Sequence, residues 1–211
     1  MGMREAGAVT YETHLTVGCG DQAGVEALRE WARAGGVKFT HIVLARGRTV
    51  SQPMLTVRGG GGVDVQRDAA EELAGRLRAA GFVPVRVKVE APVWAPEVPR
   101  ADSGATSGRY FEHHLKLLLD AGFDRDRLVA TVDGHRAHVS WNARRELDGQ
   151  HERFVTQRAH GVGAPTAAGQ LDALKGELIR AGYRITSVER EFVLYDSDLT
   201  VDDGWIEEAT A

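Results

Sequence analysis

The sequence predicts an α+β fold built by tandem duplication of a βαββαβ, ferredoxin-like unit. Its two four-stranded antiparallel sheets are expected to face each other around a polar cavity. Three observations carry this: motifs recur about 100 residues apart, both halves read in the same order of elements, and the strands alternate apolar with polar side chains.

The recurrence is collinear. Glu12-Thr13-His14-Leu15 returns as Glu112-His113-His114-Leu115, and Met54 to Arg58 as Phe154 to Arg158, both at an offset of 100. Ala80-Gly81-Phe82 matches Ala181-Gly182-Tyr183, and Val87 to Glu90 matches Val188 to Glu191, at 101. His41-Ile42-Val43 aligns with His138-Val139-Ser140 at 97, which requires a shorter first helical segment in the second copy.

In the first copy, Tyr11 to Val17 alternates as a strand. Asp21 caps a helix through Ala34 that buries Val25, Leu28 and Ala32 and stops at Gly35-Gly36. Lys38 to Arg46 and Pro53 to Arg58 are strands joined around Gly47. A helix over Val65 to Ala80 turns Ala69, Leu73, Leu77 and Ala80 inward, and Val83 to Glu90 closes the unit. The second copy repeats this order, with its last helix over Thr166 to Arg180. The copies are expected at 10–90 and 110–195. Between them, 91–109 carries three of the six prolines and reads as a linker. Residues 196–211 read as an acidic tail, with Tyr195 and Trp205 as candidate anchors.

Composition narrows the function. Of 211 residues, 43% are apolar and 27% charged, which excludes wholesale disorder. A net charge of -4 supplies no basic field for a phosphate backbone, so no nucleic-acid partner is expected. Cys19 is the one cysteine, which excludes an intrachain disulfide and a cysteine-rich zinc site. Apolar runs fall short of the ~20 residues of a membrane span. The first residues lack an apolar signal region, and Ala6 departs from the myristoylation pattern at Gly2. A cytoplasmic protein without a membrane partner is expected.

Period-2 reading collects Glu12, His14, Thr16, His41, Thr56, Arg58, Arg86, Lys88 and Glu90 on the helix-free face of the first copy. The second contributes Glu112, His114, Lys116, His138, Ser140, Asn142, Thr156, Arg158, Glu189 and Glu191. A solvated sheet face more often carries Thr, Lys, Glu and Ser than paired His, Thr and Arg at equivalent places. Two such faces turned together make a pocket of general acids, bases and anion donors.

The expected protein is therefore a small-molecule enzyme or binding protein for a phosphate- or carboxylate-bearing anion. His14, His114 and His138 are the candidate catalytic residues, and Glu12, Thr56, Arg58, Glu112, Lys116, Ser140, Thr156 and Arg158 the candidate ligand contacts. Arg158, with its planar fork of donors, is expected to hold the anion without a structural role; Glu189 or Glu191 would be its partner if it has one. No metal ligand is assigned, and the sequence leaves the cofactor open. Two alternatives stand beside this: a non-catalytic protein-interaction module, and a metal-dependent enzyme using Glu12/His14 or Glu112/His114.

His14-Leu15-Thr16 and His138-Val139-Ser140 resemble the HxT/S element of two-histidine phosphoesterases, which implies His-mediated phosphoester hydrolysis. The two lie on non-equivalent strands, and their counterparts His114-Leu115-Lys116 and His41-Ile42-Val43 lack the hydroxyl. Glu112-x-His114-x-Lys116 is similar to the ExExK strand of triphosphate-tunnel enzymes, with His in place of the second carboxylate. Glycine loops at 59–62 and 161–163 precede helices and can offer backbone N–H groups to an anion, or simply permit a sharp connection. Arg144-Arg145 reads as a charged pair near a turn.

Overall fold

Elements form where the alternation and caps place them. The first half runs β1 (Tyr11–Gly18), α1 (Gln22–Ala34), β2 (Lys38–Leu44), β3 (Ser51–Gly59), α2 (Val63–Ala79), β4 (Val83–Pro92). The second runs β5 (Tyr110–Asp120), α3 (Arg125–Asp133), β6 (Ala137–Asn142), a two-residue β7 (Glu146–Leu147), β8 (Gln150–His160), α4 (Ala164–Arg180), β9 (Arg184–Asp196). The computed structural model describes residues 8–142, 146–147 and 150–205. Gly2, Ala6, Arg144-Arg145 and the tail beyond Trp205 lie outside the described residues. No helix among the described residues is long and apolar enough to cross a membrane.

The two sheets are not separate. The strand order is β5-β9-β4-β1-β3-β2-β6-β8-β7, and β5 also pairs with β8, so eight strands close into an antiparallel barrel. A four-stranded ferredoxin-like sheet leaves two edge strands with unpaired N–H and C=O groups. Here β4 pairs with β9 and β2 with β6, so each half satisfies both edges of the other.

The helices pack outside this barrel. α1 and α2 cover Leu15, Val17 and Leu55 with Leu28, Leu73 and Leu77. α3 and α4 cover Leu115, Leu117 and Val155 with Leu128, Leu174 and Leu178. Burial at ~1.5–3 kcal/mol per large aliphatic side chain drives this outer layer. Asp21 caps α1 as expected, accepting from the Gly24 N–H at 2.8 Å. On α2, Ala70 and Ala74 face inward with Leu73 and Leu77, rather than Ala69 and Ala80; the buried stripe begins one turn earlier, at Gln66.

The segment expected as a linker is packed. Ala95 and Val98 are buried against Phe111 and Phe192, and Tyr11 donates to Glu97 at 2.7 Å. The glycine loop before α4 does meet an anion, the Asp102 carboxylate of this segment. Gly163 N–H donates to Asp102 Oδ1 at 2.7 Å, and Thr166 Oγ1 to Oδ2 at 3.1 Å. These bonds, the Gly163 N–H first, hold the Asp102 carboxyl below its ordinary range. Gly163 is required for this approach, since a Cβ there would stand 2.5–2.8 Å from Ala101 backbone atoms.

Register corrects one sequence match. Lys38 lies opposite Thr56, and His138 opposite Thr156, so His138 is the counterpart of Lys38 and not of His41. The offset stays at 100, because β5 runs 11 residues against 8 in β1 while α3 has 9 against 13 in α1. His41 leaves the polar face: it sits opposite Pro53, one residue out of phase, and its Nε2 bonds Ser51 Oγ at 2.8 Å.

Candidate active site inside the barrel

The helix-free faces meet around a cavity of about 610 Å³. Its wall includes every residue of the polar faces except His41 and His138, and adds Lys38, Thr40, Gln52, Asp202 and Trp205 among others. Both two-histidine-type elements reach the barrel, but on β1 and β6, which β3 and β2 separate. They do not form one site.

The wall is ordered by a pseudo-twofold relation. His14 Nδ1 lies 2.9 Å from Thr56 Oγ1, and His114 Nδ1 lies 2.9 Å from Thr156 Oγ1. His14 Nε2 meets Glu90 Oε2 at 2.8 Å. On the other side His114 Nε2 lies 3.3 Å from Glu112 Oε1 and 3.7 Å from Glu191 Oε2. An ionised carboxylate only accepts, so Nε2 of His14 carries the proton toward Glu90, and in the neutral ring Nδ1 accepts from the Thr56 hydroxyl. Hydroxyl, base and orienting carboxylate then stand in the order used for nucleophile activation.

Between the two histidines lies an ion cluster. Lys88 Nζ is 2.6 Å from Glu90 Oε1 and 2.7 Å from Glu112 Oε1. Burial pushes both carboxyls up, but Lys88 outweighs it, aided by His14 at Glu90 and by Arg158 at Glu112, and both are held well below the usual range. Glu90, Glu112 and His114 bring one ligand atom each within 4.8 Å of one another, and are the described residues that would hold a metal ion. The Lys88 ammonium already stands between the two carboxylates there. Glu12 and His14 do not converge, because Glu12 pairs with Arg58 and His14 with Glu90.

The opposite end of the barrel is sealed. β9 leads into a 3-10 turn at Leu199–Asp202, whose Asp202 is 2% exposed. Asp202 accepts from Arg86 Nη1 at 2.7 Å, Arg158 Nη2 at 2.6 Å and Gln52 Nε2 at 2.9 Å. Arg158 also donates to Glu112 at 2.8 Å, and Arg86 to Asp196 at 2.8 Å. Trp205 completes the seal, donating to the Val139 carbonyl at 3.1 Å and lying 5.8 Å from the His138 ring. Thus, among the described residues, Arg158 pairs with Glu112 and Asp202 rather than with Glu189 or Glu191. His138, under Trp205, is held to about 4 by burial and then by Arg46 and Arg158, so it is neutral at pH 7.

Glu191 is the unusual acid. Burial first, then Glu90 and its neighbours Glu12 and Glu112, push it up to about 10 from the ordinary 4.5, against the pull of Lys88. It is a neutral carboxylic acid at pH 7. A raised carboxyl contributes stability that is present below pH 4.5 and lost as pH rises through 10. The slope is at most one proton, about 1.4 kcal/mol per pH unit. Glu191→Gln should remove it, so that urea unfolding at pH 6, 7.5 and 9 gives a flatter profile than the native chain. Parallel profiles would rule the raised value out.

Glu90, Lys88 and Glu191 are readable as polar-face residues, though the candidate set takes Glu12, Glu112 and Lys116 from the same faces and not these three. Asp196, Asp202 and Trp205 follow the last alternating stretch, where no period marks which way a side chain points.

No protein-family model matches the chain, and no curated protein does. Among solved structures, it aligns with the acetolactate synthase small subunit from Thermotoga maritima at 14% identity and TM-score 0.28, over 87% of this chain and 94% of that one. A chlorite dismutase from Candidatus Nitrospira defluvii in complex with imidazole aligns at 11% identity and TM-score 0.28, over 87% and 90%. Likeness of this size carries no inference about activity.

Proposed function

We propose that this protein is an enzyme or binding protein that takes a small anionic molecule, bearing phosphate or carboxylate, into the barrel. The observation that supports it is the cavity itself: about 610 Å³, within the range of ligand pockets, walled by ionic groups and reaching the exposed Arg58 and Lys38. A buried ion network is a weak way to stabilise a core, since well-packed apolar residues of similar volume often do as well or better. Retaining one around an open cavity points to chemistry.

The chemistry best matched to the wall is phosphoester hydrolysis. His14, oriented by Glu90, takes a proton from the Thr56 hydroxyl or from a water in its place. The attacking oxygen forms the new P–O bond as the ester P–O bond breaks, and Glu191 gives its proton to the leaving oxygen; where Thr56 attacks first, a water deprotonated by His14 then hydrolyses the phosphothreonine and frees the hydroxyl. His114 with Thr156 repeats the arrangement, whereas His138 lies under Trp205 and is left out. A metal-dependent variant of the same enzyme has one observation behind it, the Glu90, Glu112 and His114 cluster. We also read the two halves as copies of one duplicated unit, supported by the register offset of 100, and place the protein in the cytoplasm, in keeping with its single cysteine.

The test is thermal shift and turnover with inorganic phosphate, a nitrophenyl phosphodiester and small carboxylates, with metal analysis of the purified protein. Met54 lines the cavity, and Met54→Trp should fill it without touching the ion network. Stabilisation by a probe that this variant abolishes is the expected result. A native protein indifferent to every probe, or a filled variant that binds as well, would refute the reading. Bound metal would move the assignment to the metal-dependent variant.

A further inference from the structure

We propose that the open mouth of the barrel is a site for a singly charged oxyanion, a phosphodiester or a carboxylate, received by Arg58 with Lys38 beside it. This deepens the proposed function and rests on it. The structure contains its own precedent at the other mouth.

The two mouths are pseudo-equivalent. β1 and β5 run in opposite directions around the ring, so Glu12 and Arg58, paired across β1 and β3, rim one end. Glu112 and Arg158, paired across β5 and β8, rim the other. At the sealed mouth the Arg158 fork holds two carboxylates, Glu112 at 2.8 Å and Asp202 at 2.6 Å. At the open mouth Arg58 holds Glu12 at 2.5 Å, and its side chain is 60% exposed. Among the described residues no second acid is placed against Arg58 as Asp202 is against Arg158. Lys38, exposed on the same rim, stands where His138 stands in the sealed one.

Topology explains why one mouth stays open. β9 ends at the sealed mouth, and the chain after it folds back inside. β4 ends at the open mouth, but the chain after it crosses to the outside. At the offset of 101, the counterpart of Asp202 is Ala101, which packs against Gly163, next to the Asp102 that bonds the loop before α4. The place filled by a carboxylate of the chain at one end is therefore presented to solvent at the other.

Charge sets the class of ligand. Among the described residues, Arg58 and Lys38 against Glu12 leave one positive charge on this side of the rim, and opposite them Glu189 with Arg190, and Lys116 with Glu152 at 3.6 Å, cancel in count. A monoanion balances that surplus, whereas a phosphate dianion overfills it beside Glu12. Arg gives the planar two-donor contact that either oxyanion accepts.

Calorimetric titration of the full chain with dimethyl phosphate, acetate and inorganic phosphate tests this. Saturable binding of a monoanion at one site per chain, at least tenfold tighter than phosphate, is expected. Arg58→Ala should weaken it at least tenfold and Arg58→Lys less. Asp202→Ala should empty the sealed mouth and add a second site, with acetate raising the variant's melting temperature more than the native protein's. Dimethyl phosphate ahead of acetate identifies a diester ligand, and the reverse a carboxylate. Binding blocked by Met54→Trp but indifferent to Arg58→Ala overturns this site and leaves the cavity reading standing. Preference for phosphate overturns the charge argument, and no binding at all overturns both.

Discussion

Arg158→Ala is expected to cost about 3–5 kcal/mol of stability, the magnitude found when one partner of a buried ion pair is removed. The Arg158 side chain is 3% exposed and donates to Glu112 and Asp202, while its guanidinium lies 4.8 Å from the centre of the Tyr110 ring. Its removal leaves both acids facing a low-dielectric interior. For a chain of this length that is a fall of roughly 10 °C in melting temperature, since each kcal/mol moves it by about 2–4 °C. Arg158→Lys keeps the charge but loses the fork, and should lie between. Urea and thermal unfolding measure both. A variant as stable as the native protein would remove Arg158 from the framework and return it to the role of a ligand contact.

His14→Gln is expected to lower phosphodiester turnover by about 10²–10⁴-fold, the usual worth of a positioned general base. The ring is held from both sides, by Thr56 at Nδ1 and by Glu90 at Nε2, which suits a base that must keep its orientation. Thr56→Val should lose as much if the hydroxyl is the nucleophile, and little if a water is. Glu90→Gln acts through His14, so a change in the pH profile of turnover, rather than in binding, identifies it as a positioning residue. If His14→Gln turns over at the native rate, the histidine is structural and the barrel is a binding protein.

Much of the wall was legible because strand alternation is a local property. In β4, Arg86, Lys88 and Glu90 alternate with Val85, Val87 and Val89, and pleating alone sends the two sets to opposite faces. The same logic placed His14, Thr56, Arg58 and their counterparts correctly. It failed for His41, where matching a short apolar string across helices of unequal length shifted the alignment by three residues. Only the β2–β3 and β6–β8 registers show that Lys38, not His41, corresponds to His138. Arg158 was legible as a polar-face residue but not as a structural one, because its second partner comes from the tail.

By itself the sequence determined the repeated βαββαβ order, the faces of most strands and the Asp21 cap of α1. Each of these depends on side chains within a few residues of one another. Closure of the barrel, the sealing of one mouth and the acidity of Glu191 were decided only in the tertiary structure. Edge strands β2 and β6 pair because both have unsatisfied backbone groups, whatever their side chains, so no residue pattern announces it. Asp202 enters the barrel because β9 happens to end beside two buried arginines, and Glu191 keeps its proton because it is buried and because three other carboxylates from distant strands converge on it. These are effects of proximity between groups far apart in the chain, and electrostatic energy depends on distance in space.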